Sequence, residues 1–516
     1  MKPSRDYAIT QHYSRSSRLL LLTILGSMTL YWVLFLLTRA RSFDLRPTLV
    51  LERWTWLRQV ADYITPNSLI TAGPGSEQAI TNRVIYVVTA IGLVALWTIA
   101  LWLVRPGVYS LQLRWILLPV LLFSLPLILL PAMWSDDLYV YAFYGRMIDT
   151  YGANPLLVPP ARFTGDPNLV GLYWTETTST QGPLWLLMLG ALTAMAGDSM
   201  LANLLLYKAA DLLLHVSTIA LVWTALKAIR PEAAAWAAVY YGWNPYVLLE
   251  VIGHGHSDIM ICVLLAASMV AVTRHWWLLA AACVAAGALV KLPVLLLLPL
   301  LVLARLRELP DLASRIRALA SMTLAAAVTA LLLYAPLWGG MALINNLADN
   351  PAARTYINSP WWFLMMQIWS VIDRVRPADI IVVLNPVRHL MFALALLLLL
   401  RAVWRGWDLR DVWVWGWFVY CYWLAYSWPW YFVPVVPVAA IRGPGRSAAM
   451  VGTVTLGALL FWVGYPHHTL GSLQWLGLYS LVPLYVGPII VALWFSFTIC
   501  IRATREREAR SDLGAV

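Results

Sequence analysis

Charge is what this sequence has least of. Only 12% of its 516 residues are Asp, Glu, Lys or Arg, and 61% are hydrophobic. A soluble domain carries about 25% charged residues. A Lys, Arg or Asp at the centre of a membrane helix costs about 2.5–3.5 kcal/mol, so lipid drives charge into loops. The shortage therefore excludes a soluble fold and predicts a membrane protein. The formal net charge of +11 does not imply nucleic acid, because most Arg and Lys flank apolar runs and build no basic face. Cysteine is scarce too. Cys262, Cys283, Cys421 and Cys500 lie in or beside apolar stretches, and none forms a CxxC pair, so they read as small buried hydrophobes. There is no Gly/Ser linker, no low-complexity tract and no strong internal repeat. The first apolar run, Leu19–Leu37, follows basic residues but has no small-residue cleavage site, so it is expected to be a retained first helix.

What the chain has instead is long apolar runs and 29 tryptophans, whose rings favour the bilayer interface. A span needs about 20 apolar residues. Candidate spans cover 19–38, 84–104, 115–133, 183–197, 204–226, 233–252, 257–273, 277–304, 318–338, 380–400, 412–426, 447–465 and 475–500, with a short candidate at 429–441. The expected fold class is all-α, a polytopic membrane protein with about 12–14 transmembrane helices. Segment 361–372 is too short to cross and is expected to lie at the interface. Positive charge sits on the N-terminus (Lys2, Arg5, Arg15, Arg18), on RLRELPDLASRIR after 304, on Arg401, Arg405 and Arg410, and on the C-terminal RATREREAR. These places are expected to be cytoplasmic. Loops 39–82, 134–182 and 339–379 then face outward, although 39–82 holds five arginines of its own. Loops this long are usually functional.

The stretch WSDDLYVYAFYGRMIDTYGANPL, at 134–156, concentrates polar chemistry where a helix leaves the membrane. A half-desolvated carboxylate, Asp136 or Asp137, can serve as a general base toward a hydroxyl. Tyr139, Tyr141 and Tyr144 offer flat amphipathic surfaces for a sugar, and Arg146 is a fixed cation suited to phosphate. The plainer alternative is a polar helix exit with tyrosines in the interface belt. Further on, His254, His256 and Asp258 cluster at a Gly-broken junction between apolar runs. Irregular backbone at membrane depth is tolerated where it lines a cavity or is buried in protein. HGHSD lacks a metal-ligand spacing with distant partners, so no metal is expected there. Lys291, in an otherwise apolar run, needs an anion: a lipid phosphate, Glu250 or Asp258. Lys208, Asp211 and His215 share one helix face, with Lys208 read as a structural partner for Asp211. NSPWWF (358–363) and SWPWYFVPVVP (427–437) read as interface anchors or as the lining of a lipid-tail groove. His467 and His468 read as exposed outer-loop residues.

The ordered set of motifs resembles the GT-C glycosyltransferases that use polyprenyl-phosphate sugars, and bacterial α-mannosyltransferases in particular. DDLYVYAFYGRMIDTYGANPL with QGPLWLL (181–187) is similar to that family's D-x-Y-x-Y…GR…G-x-(D/N)-P…YGPLW pattern. WNPYVLLEVIGHGHSDIM is similar to its L-N-P…G-G-H-N-D-x-x-M, ALVKLPVLLLLP to its VK-x-x-x-LL-x-x-P, and SWPWYFVPVVP to a later PWY motif. Gln181, Ser257 and Glu250 depart from the pattern.

The resemblance covers about 134–440, and the order of its parts is more specific than any one motif. It implies a single GT-C-like domain over 1–516, with extra N-terminal spans in 1–113, a catalytic loop at 134–182, a second outer loop at 339–379, C-terminal helices at 380–500, and short interfacial helices on the long loops. It implies inverting transfer of a sugar, mannose most of all, from a polyprenyl-phosphate donor in the bilayer to a hydroxyl on a glycan, glycolipid or protein at the outer face. Asp137 would be the catalytic base, because it begins D-x-Y-x-Y, with Asp136 assisting. Arg146, His254, His256, Asp258, Lys291, Tyr139 and Tyr141 would bind the donor's phosphate or sugar. No cofactor and no metal are implied. A transporter or flippase is the alternative, and the missing inverted repeat argues against it.

Overall fold

The computed structural model describes residues 5–37, 77–108, 111–129, 135, 137–169, 172, 174–342, 346, 355–372, 375–464 and 484–498. Asp136, His467, His468 and Cys500 fall outside them, as does most of loop 39–82. The described residues form helices and turns with a single isolated bridge, Ile357 to Tyr426. The all-α expectation is met.

The N-terminal helices are α1 (Arg5–Leu37), α2 (Glu77–Leu103) and α3 (Leu113–Leu129). The long loop follows, carrying α4 (Asp137–Asp149) and two single turns at Pro160–Arg162 and Pro167–Leu169. Next come α5 (Pro183–Ala196), α6 (Met200–Ile229), α7 (Ala234–Gly242), α8 (Pro245–Leu248), α9 (Asp258–Thr273) and α10 (Trp277–Ala288). The chain continues through α11 (Leu297–Glu308), α12 (Leu312–Tyr334), α13 (Pro360–Val371), α14 (Pro377–Trp404) and α15 (Leu409–Trp423). It ends in α16 (Val435–Arg442), α17 (Arg446–Gly464) and α18 (484–498).

Five of these helices contain stretches long and apolar enough to cross a bilayer: Ser16–Leu37, Val84–Leu103, Met200–Ile229, Leu312–Leu337 and Pro377–Trp404. Their surfaces suit lipid. On α14, Val382, Val383, Leu390 and Leu398 are all exposed, a surface that water would penalise and hydrocarbon accepts. The chain is a multi-pass membrane protein.

Two expected spans are broken, each by proline chemistry. Residues 233–252 divide because Pro245 disfavours helical backbone at Asn244. Asn244 instead caps α8, its side chain accepting from the Tyr246 and Val247 amides, and a π-turn at Leu249–Gly253 follows. Residues 277–304 divide at Lys291, which is extended (φ −143°, ψ 123°) ahead of a 3₁₀ turn at Leu292–Leu296 that holds Pro293. The carbonyls freed there do not go unpaired. Val290 accepts from Gly182 N at 2.8 Å and Leu289 from Leu184 N at 3.1 Å, so the end of the long loop stitches the break.

Candidate active site

Glu250 is the centre of the site, and the π-turn presents it. It reaches His254 one turn on, its Oε2 accepting from Nδ1 at 2.9 Å. The chain then doubles back through Gly255 at φ +74°, bringing the His256 amide to the Glu250 carbonyl at 3.2 Å. A side chain on Gly255 would be strained at this φ and would start 2.6 Å from Leu138 Cδ1, which would have to shift, so glycine suits the turn beneath α4. The His256 ring ends with Nε2 3.4 Å from Glu250 Oε2. Glu250, His254 and His256 are all fully buried. The second Glu250 oxygen accepts from Trp462 Nε1 on α17 at 2.9 Å.

The first turn of α4 closes the other side. Asp137 Oδ2 lies 3.6 Å from His256 Nδ1 and 3.5 Å from the Tyr141 hydroxyl, and the Asp137 amide donates to Ser135 Oγ. The helix N-terminus favours the carboxylate there. α4 sits this deep because Gly145 has no side chain: a Cβ would collide with Thr193, Tyr207 and the Leu189 carbonyl. Tyr141 meets the Trp185 ring edge-on at 5.5 Å. Beneath His256 runs a ring stack from SWPWYF and α17. Trp430 lies parallel to the imidazole at 4.0 Å, and Trp428 and Trp462 stack on Trp430.

The second break adds a cation. Lys291 Nζ is 2.6 Å from Asp258 Oδ2 and 5.1 Å from the Tyr431 ring centre. A small cavity beside them is lined by Asp258, Lys291, Pro293, Trp417, Tyr420 and Tyr431. Ser257 donates to Gln181 at 2.7 Å, so the departures from the family pattern at 181 and 257 pair with each other.

Of the residues singled out in the sequence, Asp137, Tyr141, His254 and His256 therefore meet, and Lys291 with Asp258 forms a neighbouring pair. Tyr139 is buried within α4. Arg146 stands nine residues further along α4, about 13 Å of helix from Asp137. Its guanidinium holds Asp166 at 2.9 Å and Asp198 at 2.8 Å, a clamp inside the loop. Burial pushes the Asp166 carboxyl up. The Asn168 amide, the Tyr151 hydroxyl and Arg146 outweigh this and hold it below the usual range. Lys208, read as the partner of Asp211, donates to the Leu127 and Gly253 carbonyls at 2.9 and 2.8 Å. His215 bonds Gly242 O and Tyr241, away from the cluster. NSPWWF and SWPWYF are joined through Ile357, whose amide donates to Ala425 O and whose carbonyl accepts from Ser427 N. Sequence reasoning offered Glu250 only as one possible anion for Lys291 and did not find Trp462. Glu250 was visible as E-x₃-H, a one-turn spacing; the tryptophan contact spans 212 residues and had no local signal.

Residues 54–307, just under half of the 516, match the model of the alpha-(1->6)-mannopyranosyltransferase N-terminal domain. The resemblance to bacterial α-mannosyltransferases is borne out. An alpha-(1->6)-mannopyranosyltransferase of Mycobacterium tuberculosis is 27% identical over 146 residues, 27% of this chain and 24% of that one. Alpha-(1->6)-mannopyranosyltransferase A of the same organism is 28% identical over 153 residues, 28% of each chain. A probable alpha-(1->6)-mannopyranosyltransferase of Mycolicibacterium smegmatis is 24% identical over 193 residues, 33% of this chain and 34% of its own. The matched part spans between a quarter and a third of these relatives. Among solved structures, ArnT from Cupriavidus metallidurans bound to undecaprenyl phosphate aligns over 73% of this chain and 75% of its own, with TM-score 0.37 and 15% identity, too loosely to carry an argument.

Proposed function

We propose that the chain is an inverting membrane glycosyltransferase, with Asp137 as the general base. Its substrate would be a polyprenyl-phosphate sugar, mannose by the family match, and its acceptor a hydroxyl at the outer face. The observation that carries this reading is the seat of Asp137: a carboxylate on the first turn of a loop helix, 3.6 Å from a buried histidine. Asp137 takes the acceptor's proton as that oxygen attacks the anomeric carbon. The bond from that carbon to the lipid phosphate breaks on the opposite face, and the phosphate leaves with the electron pair. Lys291 would meet the departing charge, exchanging part of its contact with Asp258 for phosphate oxygens. His256 would hold Asp137 in place. Arg146 is assigned to the loop clamp and not to the phosphate.

The test is Asp137→Asn in purified membranes supplied with radiolabelled polyprenyl-phosphate mannose. Transfer is expected to fall by about 10²–10⁴-fold with detergent extraction and melting unchanged. Undiminished transfer overturns the assignment. A loss confined to Asp136→Asn moves the base to that residue.

A further inference from the structure

We propose that Glu250, His254 and His256 form a binding site for one divalent transition-metal ion of the zinc type. The expectation of a metal-free HGHSD rested on the lack of another ligand, and Glu250 is that ligand. One donor atom from each of the three side chains lies within 4.8 Å of the other two, and all three residues are fully buried. Ligands bound tetrahedrally to zinc at about 2.0–2.1 Å stand about 3.3–3.5 Å apart. Glu250 Oε2 and His256 Nε2 are already 3.4 Å apart, and Glu250 Oε2 and His254 Nδ1 are 2.9 Å apart.

Unmet polar capacity supports the same reading. Among the described residues, His254 Nε2 and both ring nitrogens of His256 have no hydrogen-bond partner. A buried polar atom left unpaired costs about 1–3 kcal/mol, and coordination through His256 Nε2 removes that cost at this atom. The surroundings are those of a metal site as well. Trp462 fixes the outer oxygen of Glu250, and an ion held at Oε2 takes the place of the proton between Oε2 and His254 Nδ1. Asp137, 3.6 Å from His256 Nδ1, can orient the imidazole with Nε2 toward the ion. Trp430, stacked on the ring at 4.0 Å, holds its plane. Charge also balances, because a divalent ion offsets Glu250 and Asp137. The neighbouring pair Lys291 and Asp258 is of opposite sign. Two imidazoles and a carboxylate are a borderline donor set suited to zinc, with one position left for an oxygen ligand. The site stands on this geometry and does not depend on the transferase reading.

The test uses the full-length chain purified in detergent from cells grown with zinc, its metal content read by mass spectrometry. About one zinc per chain is expected. Glu250→Gln and His256→Gln should each fall below about a fifth of that, while His215→Gln, a buried histidine outside the cluster, keeps it. Protein from cobalt-grown cells should carry cobalt with the intense visible absorption of a low-coordinate ion, a readout on the unaltered chain that holds even where a variant fails to fold. Wild-type chain free of metal from both growths overturns the proposal. So does stoichiometric metal that survives in folded Glu250→Gln and His256→Gln.

Discussion

Arg146 carries the charge a phosphate would attract, and its surroundings assign that charge elsewhere. Its side chain and that of Asp166 are shielded from solvent, and removing one member of such a pair strands the other. Arg146→Ala is expected to lower stability by about 3 kcal/mol, with the Michaelis constant for the lipid donor unchanged in whatever protein folds. A large rise in that constant with melting unaffected would return Arg146 to the phosphate. Asp166 adds a pH dependence. Its carboxyl titrates below the unfolded value of about 3.9, so its stabilisation is fully present above that pH. It drains away as pH falls through the lower folded value. Melting temperature should therefore drop on acidification below about pH 4, and Asp166→Asn should flatten that limb at the cost of lower stability near neutrality.

At the scale of the elements, the two broken helices hold the candidate site. Proline opens each one, and glycine lets its neighbour approach. Gly182 meets the Leu289 carbonyl so closely that any Cβ there would overlap it, and Gly255 turns under Leu138. Gly255→Ala must accept both strain at positive φ and a collision. It should cost about 1–3 kcal/mol and separate α4 from the histidines, so activity falls further than stability alone explains. Comparing initial transfer rates at equal folded fraction checks this. Gly107, at φ +82° with open space around its Cβ position, is the control for backbone strain without collision.

The whole molecule is a lipid-facing body with its polar groups gathered inside. The proposed orientation puts loop 134–182 outside and the α11–α12 turn in the cytoplasm. Glu176 and Glu308 are exposed in these two places. A cysteine placed at Glu176 should react with an impermeant maleimide on intact cells, and one at Glu308 only after the membrane is opened. The reverse pattern would invert the topology and move the transfer to the other face.

Hydropathy sufficed for the membrane environment, the helical class and most helix positions, because the cost of exposing backbone or charge to lipid acts residue by residue along the chain. Asp137, His254, His256 and Lys291 were also legible, since ionisable groups in apolar surroundings stand out. Their partnerships were not. The break at Asn244–Pro245 was hidden inside a run apolar enough to look continuous. The 3.6 Å approach of Asp137 to His256 joins residues 119 apart. That of Glu250 to Trp462 joins residues 212 apart. Which carboxylate faces which histidine, and that Arg146 serves Asp166, depend on how α4 docks through Gly145. Only the packed tertiary structure decides this, because contacts between distant segments leave no periodicity in the sequence.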